Sequence, residues 1–313
     1  MSVRVSVVIP VRNDMQRLRT LLESLSLNTV EHEVVVVDNG SQDSSVGVAR
    51  NAGAFVLEFP AINVGALRNR GVDASVGDIL AFVDSDHEVP SDWLENGIAR
   101  INESPSVAAC GAHYLPPVNG TWVQKTWAIH RLRGPSPATV SWLGSGNLFV
   151  KRDAFLKIGG FREELVAAED VDLCYRLGKS GGQIILDKRI ANIHHGEPRT
   201  LSDFVRKEYW RGSSGLRAWC SNGFPLRDVP SFLWPLWHLV LGVLAIGLAI
   251  VFGVFPSKEG ALALSVVCLM WFVPAMLLSL KTCITERQPS SIAKLTILYF
   301  AYGVARAGAL FKS

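Results

Sequence analysis

The sequence lacks a cysteine framework. Its five cysteines, Cys110, Cys174, Cys220, Cys268 and Cys283, are scattered through 313 residues with no C-x-x-C spacing. That argues against a zinc site or a disulfide scaffold and suits a reducing compartment. A strong charge bias is missing too: the net charge is only +3, which gives no whole-chain reason to bind nucleic acid. There is no internal repeat and no low-complexity run. The opening MSVRVSVVIPVRND does not read as a secretory signal, because its apolar run is short, is broken by Pro10 and Arg12, and lacks a small-residue cleavage site. About half the residues are hydrophobic, so the chain can bury one large core or two smaller ones.

Charge is absent altogether from two runs near the end of the chain. Residues 232–255, FLWPLWHLVLGVLAIGLAIVFGVF, and 261–280, ALALSVVCLMWFVPAMLLSL, are separated by the short polar PSKEG. At about 1.5 Å per residue each is long enough to cross, or nearly cross, an apolar layer of about 30 Å. The pattern predicts a membrane hairpin, with Trp234, Trp237 and Trp271 as interfacial anchors. Residues 292–311 form a third apolar segment, but it carries Lys294 and Arg306. It lies in the interface, packs on the hairpin or makes a third crossing. Arg206, Arg211, Arg217 and Arg227 precede the hairpin, and Lys281 and Arg287 follow it. The excess of positive charge at these ends predicts that the large N-terminal region faces the cytoplasm. The expected division is a region 1–229 followed by a membrane region 230–313, in an integral protein of the bacterial inner membrane.

The first 230 residues alternate strands and helices. RVSVVIP and HEVVVVD are continuous β-branched runs, the mark of strands buried on both faces of a parallel sheet. Between them DMQRLRTLLESLSL places Leu18, Leu21, Leu22 and Leu25 at helical spacing. A helix in SSVGVARNAG, a strand AFVLEF, a helix around GALRNRGVDAS and a strand DILAFVD continue the alternation. This predicts a doubly wound α/β layer, with ligands beyond the carboxyl ends of its strands. Asp38 and Asp84 occupy such ends. SVAACGAH, NLFVKR and QIILD are further strands of the same sheet, and 115–137 reads as a polar, proline-containing stretch.

One apolar strand runs straight into acid, in DILAFVDSDHEVP. Asp84 and Asp86, two apart at a strand end, can point the same way. Their hard oxygens suit Mg2+ or Mn2+, with water and phosphate completing the shell. A solvated acidic loop is the plain alternative. The strand before it, the second strand-end acid Asp38 and the upstream NVGALRNRG favour the metal.

Taken in order, VVIPVRND, VVVVDNGSQDSS, NVGALRNRG, AFVDSDHEVP, GSGNLFVKRDAFLKIGGF, AEDVDLCYRLGKSG and NIHHGEP resemble the family 2 glycosyltransferases of the GT-A fold. The resemblance covers roughly residues 3–211. It implies a GT-A sheet followed by transmembrane helices, and transfer of one sugar from a nucleotide-diphosphate donor to a lipid-linked or other membrane-proximal acceptor. It implies that Asp38 accepts from a ring N–H of the base, with Pro10, Arg12, Asn13 and Asn63 beside the nucleotide. Arg12 stands where the family often has an aromatic that stacks on the base; a guanidinium plane also stacks. Gly65 would allow close backbone approach, and Arg68 would face the nucleotide or diphosphate. Asp84 would touch ribose or metal, Asp86 would be the principal metal ligand, and Glu88 a further one. His87 would be a neighbour, since a hard ion prefers oxygen. Gly146 and Asn147 would line the sugar pocket. Of the E-D pair, Glu169 would support the donor and Asp170 would be the base for direct, inverting displacement. Asp172 would only favour the helix N-terminus. His194 or His195 would close the metal site, with His195 preferred for its place before Gly196. Arg206, Lys207 and Arg211 would hold diphosphate or contact anionic lipid headgroups. FVRKEYWRGSSG is not the Q-x-x-R-W of processive synthases, which argues against polymer synthesis. The rivals are an inactive transferase-like scaffold and a nucleotidyltransferase. The latter needs a basic G-x-G-type loop after the first strand, which PVRNDMQRL lacks.

Overall fold

The computed structural model describes residues 4–212 and 229–310, and the side chains of 230–232 are outside that description. Arg217, Arg227 and Cys220 therefore lie outside the described residues, as does the predicted end of the third segment at Phe311. The chain divides into two compact units: Met1–Val118 with Gly134–Glu197, and Asn119–Arg133 with Pro198–Ser313. The sequence boundary near Pro230 marks where charge disappears. The compact units divide earlier, and the second also takes in a piece from the middle of the chain.

The first unit is built on an eight-stranded sheet. In chain order its strands are β1 (Val5–Val11), β2 (His32–Asp38), β3 (Phe55–Glu58), β4 (Ile79–Val83), β6 (Val107–Gly111), β7 (Ala138–Thr139), β8 (Asn147–Lys151) and β9 (Gln183–Leu186). The spatial order is β3-β2-β1-β4-β8-β6-β9-β7. The pairs β1–β2, β1–β4, β2–β3 and β6–β9 are parallel, while β8 runs antiparallel to β4 and β6, and β7 to β9. The mostly parallel doubly wound sheet is the one expected. Its β-branched runs are buried throughout β1: Val5, Val7 and Ile9 face a cluster that includes Leu18, Leu21 and Trp93. Val8 faces the other, with Leu80, Phe82, Phe155 and Leu173. Covering both faces is what makes a continuous apolar strand stable.

Helices α1 (Met15–Leu25), α2 (Ser45–Asn51), α3 (Val64–Asp73), α4 (Trp93–Ile101), α6 (Arg152–Lys157) and α7 (Glu169–Lys179) supply those faces. Because β2 and β4 flank β1 on opposite sides, the chain leaves β1 and β4 in opposite directions. This is the switch point where doubly wound sheets open a crevice, and Asp38 and Asp84 end the strands beside it. A separate two-stranded ribbon pairs β5 (His87–Glu88) with β10 (Ile193–His194) in antiparallel register, His194 opposite His87.

The second unit is helical. The polar, proline-containing stretch 115–137 contains α5 (Trp122–Arg131), opened by a capping box of Thr121 and Gln124. Its Val123 and Trp127 are buried with Phe204, Ala275, Leu295 and Tyr299; that burial, invisible locally, holds it helical. Helix α8 (Leu201–Gly212) packs on α11 (Ile292–Ala309), where Arg306 donates to Glu208 at 2.8 Å. Helices α9 (Val229–Val254) and α10 (Lys258–Thr285) form the hairpin, and the Ser257 side chain caps α10 by accepting from the Gly260 N–H at 2.9 Å. Within them, stretches of 22 and 28 residues, each holding an 18-residue window of mean hydropathy 2.3 and 2.4 respectively, are long and apolar enough to cross a membrane. Val243, Ile246, Ile250, Leu262 and Leu269 are exposed, an apolar surface that suits lipid better than water.

Candidate active site

Asp38 closes β2 and is buried at 2% exposure. One carboxylate oxygen accepts from the backbone N–H groups of Gly40 and Ser41, both at 2.9 Å. The other is buried with no hydrogen-bond partner in the described structure. A buried, unpaired carboxylate oxygen calls for a donor, and a nucleotide ring N–H is one. Asn13 shapes the same end of the sheet. Its backbone is left-handed, with φ 51°; its Oδ1 accepts from Gln42 N at 2.6 Å, and its N–H donates to Ser41 Oγ at 2.9 Å. Pro10 is buried in β1 opposite Val37, and Arg12 is exposed.

Arg68 differs from the sequence reading. Its guanidinium is buried, donating to Asp84 at 2.6 Å and to Glu169 at 2.8 Å. It therefore ties Asp84, just past the end of β4, to Glu169 of the E-D pair. Burial opposes the charge, but the two carboxylates more than offset it and hold the guanidinium protonated. Asn63 caps α3, accepting from Ala66 N at 2.9 Å. A Cβ on Gly65 would stand 3.3 Å from Phe161 Cβ, so the close approach there is to Phe161. Asn147 is fully buried, accepting from Trp93 Nε1 at 2.9 Å and donating to Ile190 O at 2.8 Å. Each of these three has a packing role that the motif alone did not reveal.

Just past the end of β4, Asp86 meets two histidines. His194 Nε2 lies 3.1 Å from Asp86 Oδ2, and His87 Nε2 lies 3.7 Å from Asp86 Oδ1. One ligand atom from each of Asp86, His87 and His194 falls within 4.8 Å of the others, a group that can hold a metal ion. His195, preferred from its position, instead meets Glu88 at 2.9 Å. The ribbon register explains the exchange: His194 is paired with His87, so the next residue points elsewhere. Burial, and then the neighbouring His194, push the His87 pKa down to about 4, leaving it a neutral imidazole. Burial would lower His194 too, but Asp86 and Glu197 raise it above the ordinary value. Arg211 belongs to the other unit, where it donates to Glu208 at 2.7 Å.

Glu169 and Asp170 open α7 directly after Ala168, whose φ of 63° is left-handed. Burial, and then the Glu169 carboxylate, push the Asp170 pKa up to about 7, the range suited to a general base. Asp172, read as a helix-terminus acid, is fully buried, held by Arg176 at 2.6 Å and Arg162 at 3.1 Å. Helical spacing turns it inward, where two cations compensate its charge.

The glycines of GSGN join the two ends of the site. A Cβ on Gly144 would lie against the Tyr114 hydroxyl and 3.7 Å from Asp170 Oδ2. One on Gly146 would stand 2.8 Å from Asp84 Oδ2, 3.0 Å from His87 Nε2 and 3.1 Å from the Tyr114 hydroxyl. Sequence reading missed Tyr114, whose ring also meets the edges of His87 and His194, with centroids 4.7 and 5.0 Å away. No spacing or motif flags a lone tyrosine before a proline-rich stretch.

Residues 6–156 match Glycosyl transferase family 2. Glycosyltransferase AglE of Haloferax volcanii is 28% identical over 247 residues, covering 75% of this chain and 80% of that protein. The pre-mycofactocin glycosyltransferase of Mycobacterium tuberculosis is 33% identical over 67% of this chain, which spans only 46% of that relative. Among solved structures, the mannosyltransferase PcManGT from Pyrobaculum calidifontis, in complex with GDP-Man and Mn2+, superposes with a TM-score of 0.66. It is 16% identical and the match covers 100% of this chain and 88% of that one, a likeness of fold. With a matched family region, named glycosyltransferases as relatives and the GT-A sheet beneath the site, the chain is a family 2 glycosyltransferase.

Proposed function

We propose that the protein is a membrane-anchored, metal-dependent, inverting glycosyltransferase on the cytoplasmic face. It moves one sugar from a nucleotide-diphosphate donor to a lipid-linked acceptor. The observation that carries this reading is the Gly144–Gly146 loop, which touches Asp170 at one glycine and Asp84 and His87 at the other. A donor lying along that loop would have its diphosphate at the acidic strand end and its anomeric carbon toward Asp170.

In this reading the unpaired oxygen of Asp38 accepts a ring N–H of the base. Asp86 and His194 would hold the divalent ion, Mg2+ or Mn2+, and the donor set fits one: one ligand atom from each of Asp86, His87 and His194 lies within 4.8 Å of the others. When bound, the ion supplies positive charge against the departing diphosphate. Arg68 holds Asp84 and Glu169 in place. The Asp170 carboxylate takes the proton of the acceptor hydroxyl as that oxygen bonds to the anomeric carbon. The bond from that carbon to the diphosphate oxygen breaks on the opposite face, so one displacement inverts the centre. The solved relative in complex with GDP-Man and Mn2+ supports the donor and ion classes. Two helices of membrane-spanning length support an acceptor confined to the bilayer.

The test is metal-dependent turnover of nucleotide sugars by the full chain in detergent, with and without EDTA. Donor turnover should require the ion, and Asp86→Ala should lower it by about 10²-fold or more with the fold intact. Undiminished turnover in EDTA sinks the reading.

A further inference from the structure

The loop that leads into β8 carries an aromatic outside the set assembled above. Leu143 is fully buried in the same cluster as Leu173 and Cys174 of α7, while Trp142 before it is 44% exposed. With Leu143 turned into the core, Trp142 and Gly144 on either side of it turn outward together. Two residues of chain reach at most about 7 Å, so Trp142 stands close to Gly144, whose added Cβ would lie 3.7 Å from Asp170 Oδ2. A second link leads to the same place. The His113 ring meets the Trp142 ring edge-on, with centroids 6.4 Å apart. The next residue, Tyr114, brings its hydroxyl to where a Cβ on Gly144 or Gly146 would stand. A lone aromatic on a surface needs no explanation; this one has a second ring against it and lies beside the proposed base.

The chemistry at Asp170 limits what such a surface can hold. The charged groups that act on Asp170 most strongly are Glu169, Arg68 and Asp84, and the cation among them is buried and paired with both carboxylates. An acceptor that attacks through a phosphate oxygen is already ionised near neutral pH. It needs no base, and carboxylates repel it. A sugar hydroxyl is neutral and does need a base. A pyranose ring also presents a face of C–H groups, which packs on the negative face of an indole.

We infer that Trp142, backed by His113, is a stacking platform for the terminal sugar ring of the acceptor, so that the protein extends a saccharide already carried by a lipid instead of glycosylating a bare lipid phosphate. The inference rests on the transfer mechanism proposed above and names the acceptor class for the same site. The indole holds the ring by its C–H face and leaves a hydroxyl toward Asp170.

The full chain, in a detergent without a sugar headgroup, would be given UDP-glucose, UDP-N-acetylglucosamine, UDP-galactose or GDP-mannose with Mn2+. The acceptors are the octyl glycosides of glucose, mannose, galactose and N-acetylglucosamine, set against farnesyl phosphate, with products read by mass spectrometry. A sugar should be added to a glycoside and none to farnesyl phosphate. Trp142→Ala should raise the KM for that glycoside by at least about tenfold, the loss of a packed aromatic face, while kcat at saturating glycoside falls far less. Trp142→Phe should keep KM within about threefold of wild type, since a flat ring remains. Phe55→Ala, which removes an exposed aromatic from β3, should leave KM within about twofold. An unchanged KM in Trp142→Ala overturns the inference. So does a loss of nucleoside diphosphate affinity as large as the loss for the glycoside, which would put Trp142 on the donor side. Refusal of every glycoside also overturns it; metal-dependent donor hydrolysis, or transfer to farnesyl phosphate, then leaves the glycosyltransferase reading standing. No consumption of any donor overturns both.

Discussion

At the scale of single residues, Asp170 carries the sharpest consequences. Its carboxyl is raised to about 7 by burial and by Glu169. A base must be ionised, so transfer should rise with pH through about 7 and level off above it; a flat profile between pH 5 and 8 would remove Asp170 from the role. The same shift runs against stability. Below about pH 4 the carboxyl is neutral both folded and unfolded, and it contributes nothing. Between about 4 and 7 only the unfolded chain is ionised, so stability falls as pH rises. Asp170→Asn should therefore lower transfer by at least about 10²-fold, yet melt no lower than wild type at pH 8, with any gain vanishing near pH 4. Nucleoside diphosphate affinity should hardly move, because Asp38 and Asp86 remain. Loss of affinity together with transfer would place Asp170 in the donor site.

At the scale of elements, the Gly144–Gly146 loop borders the candidate site and the turn after β9 is fastened to α4. Gly146 has no room for a Cβ, so Gly146→Ala should press on Asp84 and His87. Displacements of this size in a catalytic constellation cost about 10²-fold in rate, and here the loss should come with little change in melting temperature. A fully active Gly146→Ala would show that the loop has slack and that its closeness to both acids is incidental. The turn after β9 is a stability element. Burial would raise the pKa of Asp187, but the hydrogen bonds from Arg189 and Arg100 hold it at about 2. Its contribution is therefore present above about pH 4 and lost as pH falls through 2. Asp187→Asn should destabilise the first unit by about 2 kcal/mol at pH 7, and by much less at pH 2, measured by chemical denaturation.

At the scale of the whole chain, the apolar hairpin sets the topology. Positive residues flank α9 and α10 at the ends away from their connecting turn, which predicts that residues 256–260 face away from the cytoplasm. Ser257 is a poor probe position because its side chain caps α10 and its loss would cost about 1 kcal/mol. Pro256→Cys, in a variant without the five native cysteines, keeps the cap. An impermeant thiol reagent added to intact cells should label it. Labelling that appears only after permeabilisation would reverse the orientation or remove the hairpin.

Periodicity and turn chemistry alone determined most of the first unit's strands, because runs such as VVIPV and EVVVV have no stable place except a doubly covered sheet. They also determined that Asp38 and Asp84 stand at strand ends, and that two helices built on long uncharged runs follow. Local sequence could not decide pairing. Which of His194 and His195 stands beside Asp86 depends on the register between β5 and β10, formed by residues more than a hundred positions apart. Arg68 reads as a ligand contact until Asp84 and Glu169 converge on it from separate elements. Asn147 and Gly65 looked like pocket residues, yet Trp93 and Phe161 claim them. Residues 115–137 read only as a polar, proline-containing stretch because the surface that α5 buries against lies in α8, α10 and α11. Motif and period are properties of neighbours along the chain. Burial, ion pairing and ligand geometry are properties of neighbours in space, and only the folded chain brings those together.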